Sequence, residues 1–67
     1  MKATAIKDLK KGDFFTKRPV EEPREAQVWV RGDHDRSSRR YECHRFDDVN
    51  DTCFLIGGRQ VFTGFTF

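Results

Sequence analysis

Thr52-Cys53-Phe54-Leu55-Ile56-Gly57-Gly58-Arg59-Gln60-Val61-Phe62-Thr63 is the stretch on which the reading of this chain turns. Two runs rich in β-branched and aromatic residues flank a pair of glycines. Both glycines can take positive φ, so the pattern predicts a two-residue β-hairpin joining a fourth strand (52–56) to a fifth (59–63). In that register Ile56 faces Arg59, Phe54 faces Val61 and Cys53 faces Phe62, and Phe54 with Val61 becomes a cross-strand core pair.

Working upstream, Asp47-Asp48-Val49-Asn50-Asp51 reads as a turn and Arg39 to Phe46 as the third strand. Tyr41 and Cys43 share one face of it. Phe46 breaks the alternation, which predicts a bulge or a strand end near His44-Arg45. Gly32-Asp33-His34-Asp35-Arg36-Ser37-Ser38 is a loop of turn formers. Gln27-Val28-Trp29-Val30-Arg31 alternates cleanly and predicts the second strand, with Val28 and Val30 on one face and Trp29 on the other. Pro19 and Pro23 cannot donate ladder hydrogen bonds, so 18–26 reads as a loop or frayed edge. Gly12-Asp13 turns the chain into a first strand over 13–18, and Ile6 and Leu9 have the spacing of one helical turn with an inward face.

Five short strands and one helical turn predict an all-β domain, a small five-stranded antiparallel barrel or meander whose closure would remove exposed edges. The expected core is Ile6, Leu9, Phe15, Val28, Val30, Tyr41, Cys43, Phe54, Ile56, Val61 and Phe65. Sixty-seven residues allow one domain, 1–67, and a chain this short buries only about 60% of its unfolded surface. Seven Phe, one Trp and one Tyr against two Leu and two Ile make rings the main apolar material for that core. No apolar run is long enough for a membrane helix, and the first residues lack the apolar stretch of a signal peptide, so the expected location is the cytoplasm with no membrane partner.

Ile6 to Phe15 resembles the opening of SH3-like small barrels, where a helical turn precedes a Gly-Asp turn into the first strand. The longer stretch from Gln27-Val28-Trp29-Val30-Arg31-Gly32 through Phe46-Asp47-Asp48-Val49-Asn50 to Val61-Phe62-Thr63-Gly64-Phe65 resembles short proteins of gut bacteria and their phages, a group with no established activity. That resemblance covers most of the chain. It implies a small barrel and a phage or bacterial source, and it assigns no site residue.

The net charge of +2 comes from 13 basic and 11 acidic residues, too even for an obligate polyanion binder, but the distribution is uneven. Arg36, Arg39, Arg40 and Arg45 crowd one segment with Glu42 as its single acid. Together with Arg31 and Trp29 they form the candidate site, a nucleic-acid-binding face in which arginines hold phosphates and the indole stacks on a base. The competing plain reading pairs these arginines with Asp33, Asp35, Asp47 and Asp48 on a solvated surface. The alternative function is a protein-interaction barrel, or self-association, through aromatics that one small core need not absorb: Trp29, Tyr41, Phe62 and Phe67.

Catalytic, metal and cofactor sites are not expected. Cys43 and His44 are adjacent and point to opposite faces of a strand, which suits neither a thiolate–imidazole dyad nor a zinc site. Asp33-x-Asp35 and Asp47-Asp48-x-x-Asp51 match no calcium loop. Cys43 and Cys53 lie symmetrically about Asp48 and face each other if the turn keeps simple register. The favoured reading is two small buried apolar side chains rather than a disulfide. Arg31-Gly32-Asp33 matches an integrin-binding tripeptide by chance in a chain without a secretory signal.

Overall fold

The computed structural model describes residues 2–67, and they form an all-β fold. Six strands run in chain order: β1 (Lys2–Ala5), β2 (Phe14–Phe15), β3 (Trp29–Asp35), β4 (Arg40–Arg45), β5 (Asp48–Ile56) and β6 (Gln60–Thr63). Two 3-10 turns, Ile6–Asp8 and Glu25–Gln27, are the helical elements. The first is the expected opening turn: Leu9 N–H donates to Ile6 C=O at 3.2 Å, and Ile6 is fully buried. All ladders are antiparallel. They build a two-stranded sheet, β1–β6, and a four-stranded sheet, β2–β3–β4–β5. A reciprocal pair of 2.9 Å bonds between Thr16 and Phe62 hooks the sheets together.

Three expectations are corrected. First, there are six strands rather than five, and among the described residues no ladder joins β5 to β1 or to β6, so the barrel is not closed. Lys2-Ala3-Thr4-Ala5 has little intrinsic strand preference; pairing with β6 makes it a strand. Second, the Gly57-Gly58 turn reverses the chain without making a hairpin. Val61 pairs with Thr4 and Phe54 with Glu42. Neither glycine is among those with positive φ, which are Gly12 and Gly64, so the hairpin geometry their sequence suggested is not used. Third, the loops are shorter than their polar residues imply. β3 runs on through His34 and Asp35, and β5 begins directly after Phe46-Asp47.

The third strand bulges as well. Between Arg31 and His34 the β3–β4 register shifts by one residue. Gly32 sits in that shift, where an added Cβ would lie 2.7 Å from the Glu42 carbonyl oxygen. The bulge expected near His44-Arg45 is also present, but its extra residues are Val49, Asn50 and Asp51 on β5. Cys43 therefore still faces Cys53.

The core cluster is Ile6, Phe15, Cys43, Leu55 and Val61, with Leu9, Trp29, Tyr41 and Cys53 packed against it. Val28 is also fully buried but outside that cluster; Val30 and Phe65 are half-buried. Phe54 and Ile56 are exposed, at 48% and 60%, and Leu55 takes the core position between them. The cause is strand pairing. Directly opposite residues share a face, so Tyr41 and Cys43, inward on β4, bring in Leu55 and Cys53 and turn Phe54 and Ile56 out. The same rule puts Trp29, opposite Phe15, on the core side and Val30 on the other.

Candidate functional site

The six residues of the arginine candidate fall into separate environments. Arg45 ends β4 and lies 2.8 Å from Asp47, 3.3 Å from Asp51 and 3.9 Å from Asp48. The tight Phe46-Asp47 loop and the β5 bulge fold these three carboxylates around one guanidinium. Arg31 turns inward instead. Its guanidinium carbon is 4.3 Å from the centre of the Tyr41 ring and its Nη1 donates to the Gly32 carbonyl at 2.9 Å. Trp29 is half-buried, with the Lys17 ammonium 3.9 Å above its ring.

Arg36, Arg39 and Arg40 remain exposed at the β3–β4 turn, with no ion pair among the described residues. Arg39 takes the left-handed conformation there, φ 56°. Asp35, the nearest acid in sequence, is held by serines: Ser37 Oγ donates at 2.8 Å and Ser38 Oγ at 3.1 Å, which lowers its pKa. Asp33 pairs with Lys11 at 2.8 Å, and that ammonium lowers its pKa too. Of the arginine–aspartate pairs considered for this surface, those of Arg45 with Asp47 and Asp48 form.

A different set of side chains comes together at the β2 edge. Phe14, Phe46 and Phe67 meet edge to face, with centroids 5.3 Å apart for Phe14–Phe46, 5.0 Å for Phe46–Phe67 and 5.9 Å for Phe14–Phe67. Phe65 adjoins Phe67 at 6.4 Å. Exposures of 42%, 39% and 50% leave Phe14, Phe46 and Phe67 open to solvent. Phe67 was among the expected outward aromatics; Trp29, Tyr41 and Phe62 are half-buried. The sequence signal for this cluster is the dipeptide Phe14-Phe15. Neighbours on a strand point to opposite faces, so one of the two had to face out.

A shallow pocket of about 140 Å³ beside Trp29 is lined by Thr16, Lys17, Arg18, Val20 and Gln27. That is below the about 300–1,000 Å³ of ordinary small-molecule sites. Cys43 and Cys53 face each other as free thiols. Burial raises the Cys43 pKa from 9.0 to about 11, with the adjacent Cys53 adding to the effect. The hydrogen-bond phase explains why the thiols stay apart. Phe46 N–H donates to Val28 C=O at 2.8 Å, so alternate residues of β4 from Phe46 back point their backbone at β3, and Arg45, Cys43 and Tyr41 point theirs at β5. Cys43 and Cys53 are thus a hydrogen-bonded pair, a kind of pair whose Cβ atoms generally lie toward the wide end of the roughly 4.5–5.5 Å range, beyond usual disulfide reach. No family model, curated protein or solved structure matches this chain. No helix of the described residues is long and apolar enough to cross a membrane.

Proposed function

We propose that this chain is a non-enzymatic protein-interaction module that docks a partner on the Phe14–Phe46–Phe67 cluster. The observation that carries this reading is the exposure of three mutually contacting rings in a domain short of core material. Rings left in water forgo burial worth roughly 25 cal/mol per Å², and clustered exposure of this kind marks interaction surfaces. The partner chemistry that suits it is an apolar or aromatic side chain inserted against ring edges. The resemblance to short proteins of gut bacteria and their phages bears on source alone, and an accessory role for a phage or mobile element, in the cytoplasm, is compatible with that source.

The test is a peptide-library selection on the full chain. Selected peptides should lose at least tenfold in affinity on Phe46→Lys and keep it on Arg39→Ala/Arg40→Ala. Equal binding to Phe46→Lys contradicts the assignment.

A second reading, nucleic-acid binding, keeps support at Arg36, Arg39 and Arg40, which are exposed and without ion pairs among the described residues. Arg31, Arg45 and Trp29 would have to leave their internal contacts to join them. Oligonucleotide binding that falls steeply between about 50 and 200 mM salt and is lost in Arg39→Ala/Arg40→Ala would favour it.

A further inference from the structure

The β5 edge is open. Cys53 and Leu55 point their backbone groups at β4, so the N–H and C=O groups of Thr52 and Phe54 point away from the sheet. Among the described residues they have no hydrogen-bond partner, and the nearest edge bonds are Lys7 N–H to Gly57 C=O at 3.2 Å and Arg59 N–H to Ile56 C=O at 2.9 Å. Thr52, Phe54 and Ile56 also share the outer face, where Phe54 is about half exposed and Ile56 more than half. An unpaired edge carrying exposed apolar side chains is a template for another strand.

The charges along this edge indicate which strand. Its N-terminal end holds Asp47, Asp48 and Asp51 around the single guanidinium of Arg45, an excess of negative charge. Its C-terminal end holds Lys7 beside Gly57, Arg59 after the turn, and Arg40 opposite Ile56. An antiparallel copy of β5 presents these ends in reverse, acid against base. We propose that two copies of this chain pair antiparallel through β5, with Phe54 at the two-fold axis, making one continuous eight-stranded sheet.

In this register Thr52 of each copy faces Ile56 of the other, and Asp51 comes opposite Gly57, beside Lys7 and Arg59 of the second copy. The outward groups of Thr52 and Phe54 gain partners, and Phe54 and Ile56 are covered across the seam. Five paired residues bury less than the roughly 800 Å² per partner of a stable interface, so the dimer is a weak one that forms at high concentration. The two-fold is perpendicular to the sheet, so both Phe14–Phe46–Phe67 clusters face the same way. Pairing does not use those clusters, so it stands or falls separately from the proposed docking function.

Sedimentation equilibrium and amide hydrogen exchange on the full chain, from about 10 μM to 1 mM, test it. The expected result is a monomer–dimer equilibrium that weakens with added salt, with the Thr52 and Phe54 amides protected at least tenfold more at the high end. Phe54→Lys, which opposes two like charges at the axis, should leave Trp29 fluorescence unchanged and abolish both effects. Ile56→Lys, away from the axis, should weaken association at least tenfold if Phe54→Lys proves unstable. A monomer throughout, or a dimer that survives Phe54→Lys and breaks with Phe14→Lys, overturns the proposal. So does protection of Thr52 and Phe54 that does not change with concentration.

Discussion

The two faces of the four-stranded sheet carry similar residues to opposite ends. On the inner face Phe15, Cys43 and Leu55 are sealed against Ile6 and Val61. On the outer face Phe14 and Phe54, no less apolar, stand in water. Phe14 and Phe15 are neighbours, as are Phe54 and Leu55, so composition cannot distinguish them; strand phase does. A domain this small covers the inner face of its sheet and only part of the outer one, where Val28 is sealed but the rings around it are not. The outer face is left with rings whose burial requires a partner, and the functional proposals rest on that asymmetry.

The largest test of the comparison is the adjacent pair on β2. Phe15→Ala should cost about 3–5 kcal/mol, enough to unfold a domain whose total stability is of the order of 5 kcal/mol. Phe14→Ala should cost about 1 kcal/mol, the value of its ring contacts, while removing partner binding. Urea denaturation followed by Trp29 fluorescence reads both, and equal losses would mean the faces are not distinct.

The glycines sharpen it next. Gly32→Ala drives a methyl to 2.7 Å from a backbone oxygen inside the sheet and should cost about 1–3 kcal/mol. At Gly58 nothing lies within 4 Å and φ is not positive, so Gly58→Ala should gain about 0.4–1 kcal/mol. A loss at Gly58 would restore the positive-φ hairpin turn that the sequence suggests.

A smaller effect is expected from alkali. The Cys43 thiol titrates at about 11 when folded against 9.0 for the ordinary thiol, so between these values the unfolded chain gives up a proton that the folded one keeps. Its contribution to stability is complete below about pH 9 and is lost as pH rises toward 11. Denaturation midpoints should fall over that range more steeply than in Cys43→Ala, and parallel profiles would argue against a sealed thiol.

Much of the fold was legible in the sequence. The opening turn at Ile6, the strand around Trp29, the position of a bulge near His44-Arg45 and the opposition of Cys43 and Cys53 follow from alternation and turn residues. What misled was a local signal in competition with a longer-range one. Gly57-Gly58 argues for a hairpin and puts Phe54 inside. Cys43 in the core facing Cys53 puts Leu55 inside. The two expectations exclude each other, and the longer β4–β5 ladder wins because it secures more bonds and a full side-chain face. β1 was not legible, since its strand character comes from β6. The arginine candidate was less legible than the fold. Charge clustering along the chain gives no information on direction, and the Phe46-Asp47 turn folds the acids of 47–51 onto Arg45 alone. The ring cluster needed the tertiary meeting of residues 14, 46 and 67.

The most direct test is to compare Leu55→Ala with Phe54→Ala in urea, at protein concentrations near 10 μM where association plays no part. Leu55, 8% exposed, should cost about 2–4 kcal/mol, and Phe54, 48% exposed, less than about 1 kcal/mol. The reverse order would put Phe54 in the core and contradict the two-faced sheet and the paired edge built on it.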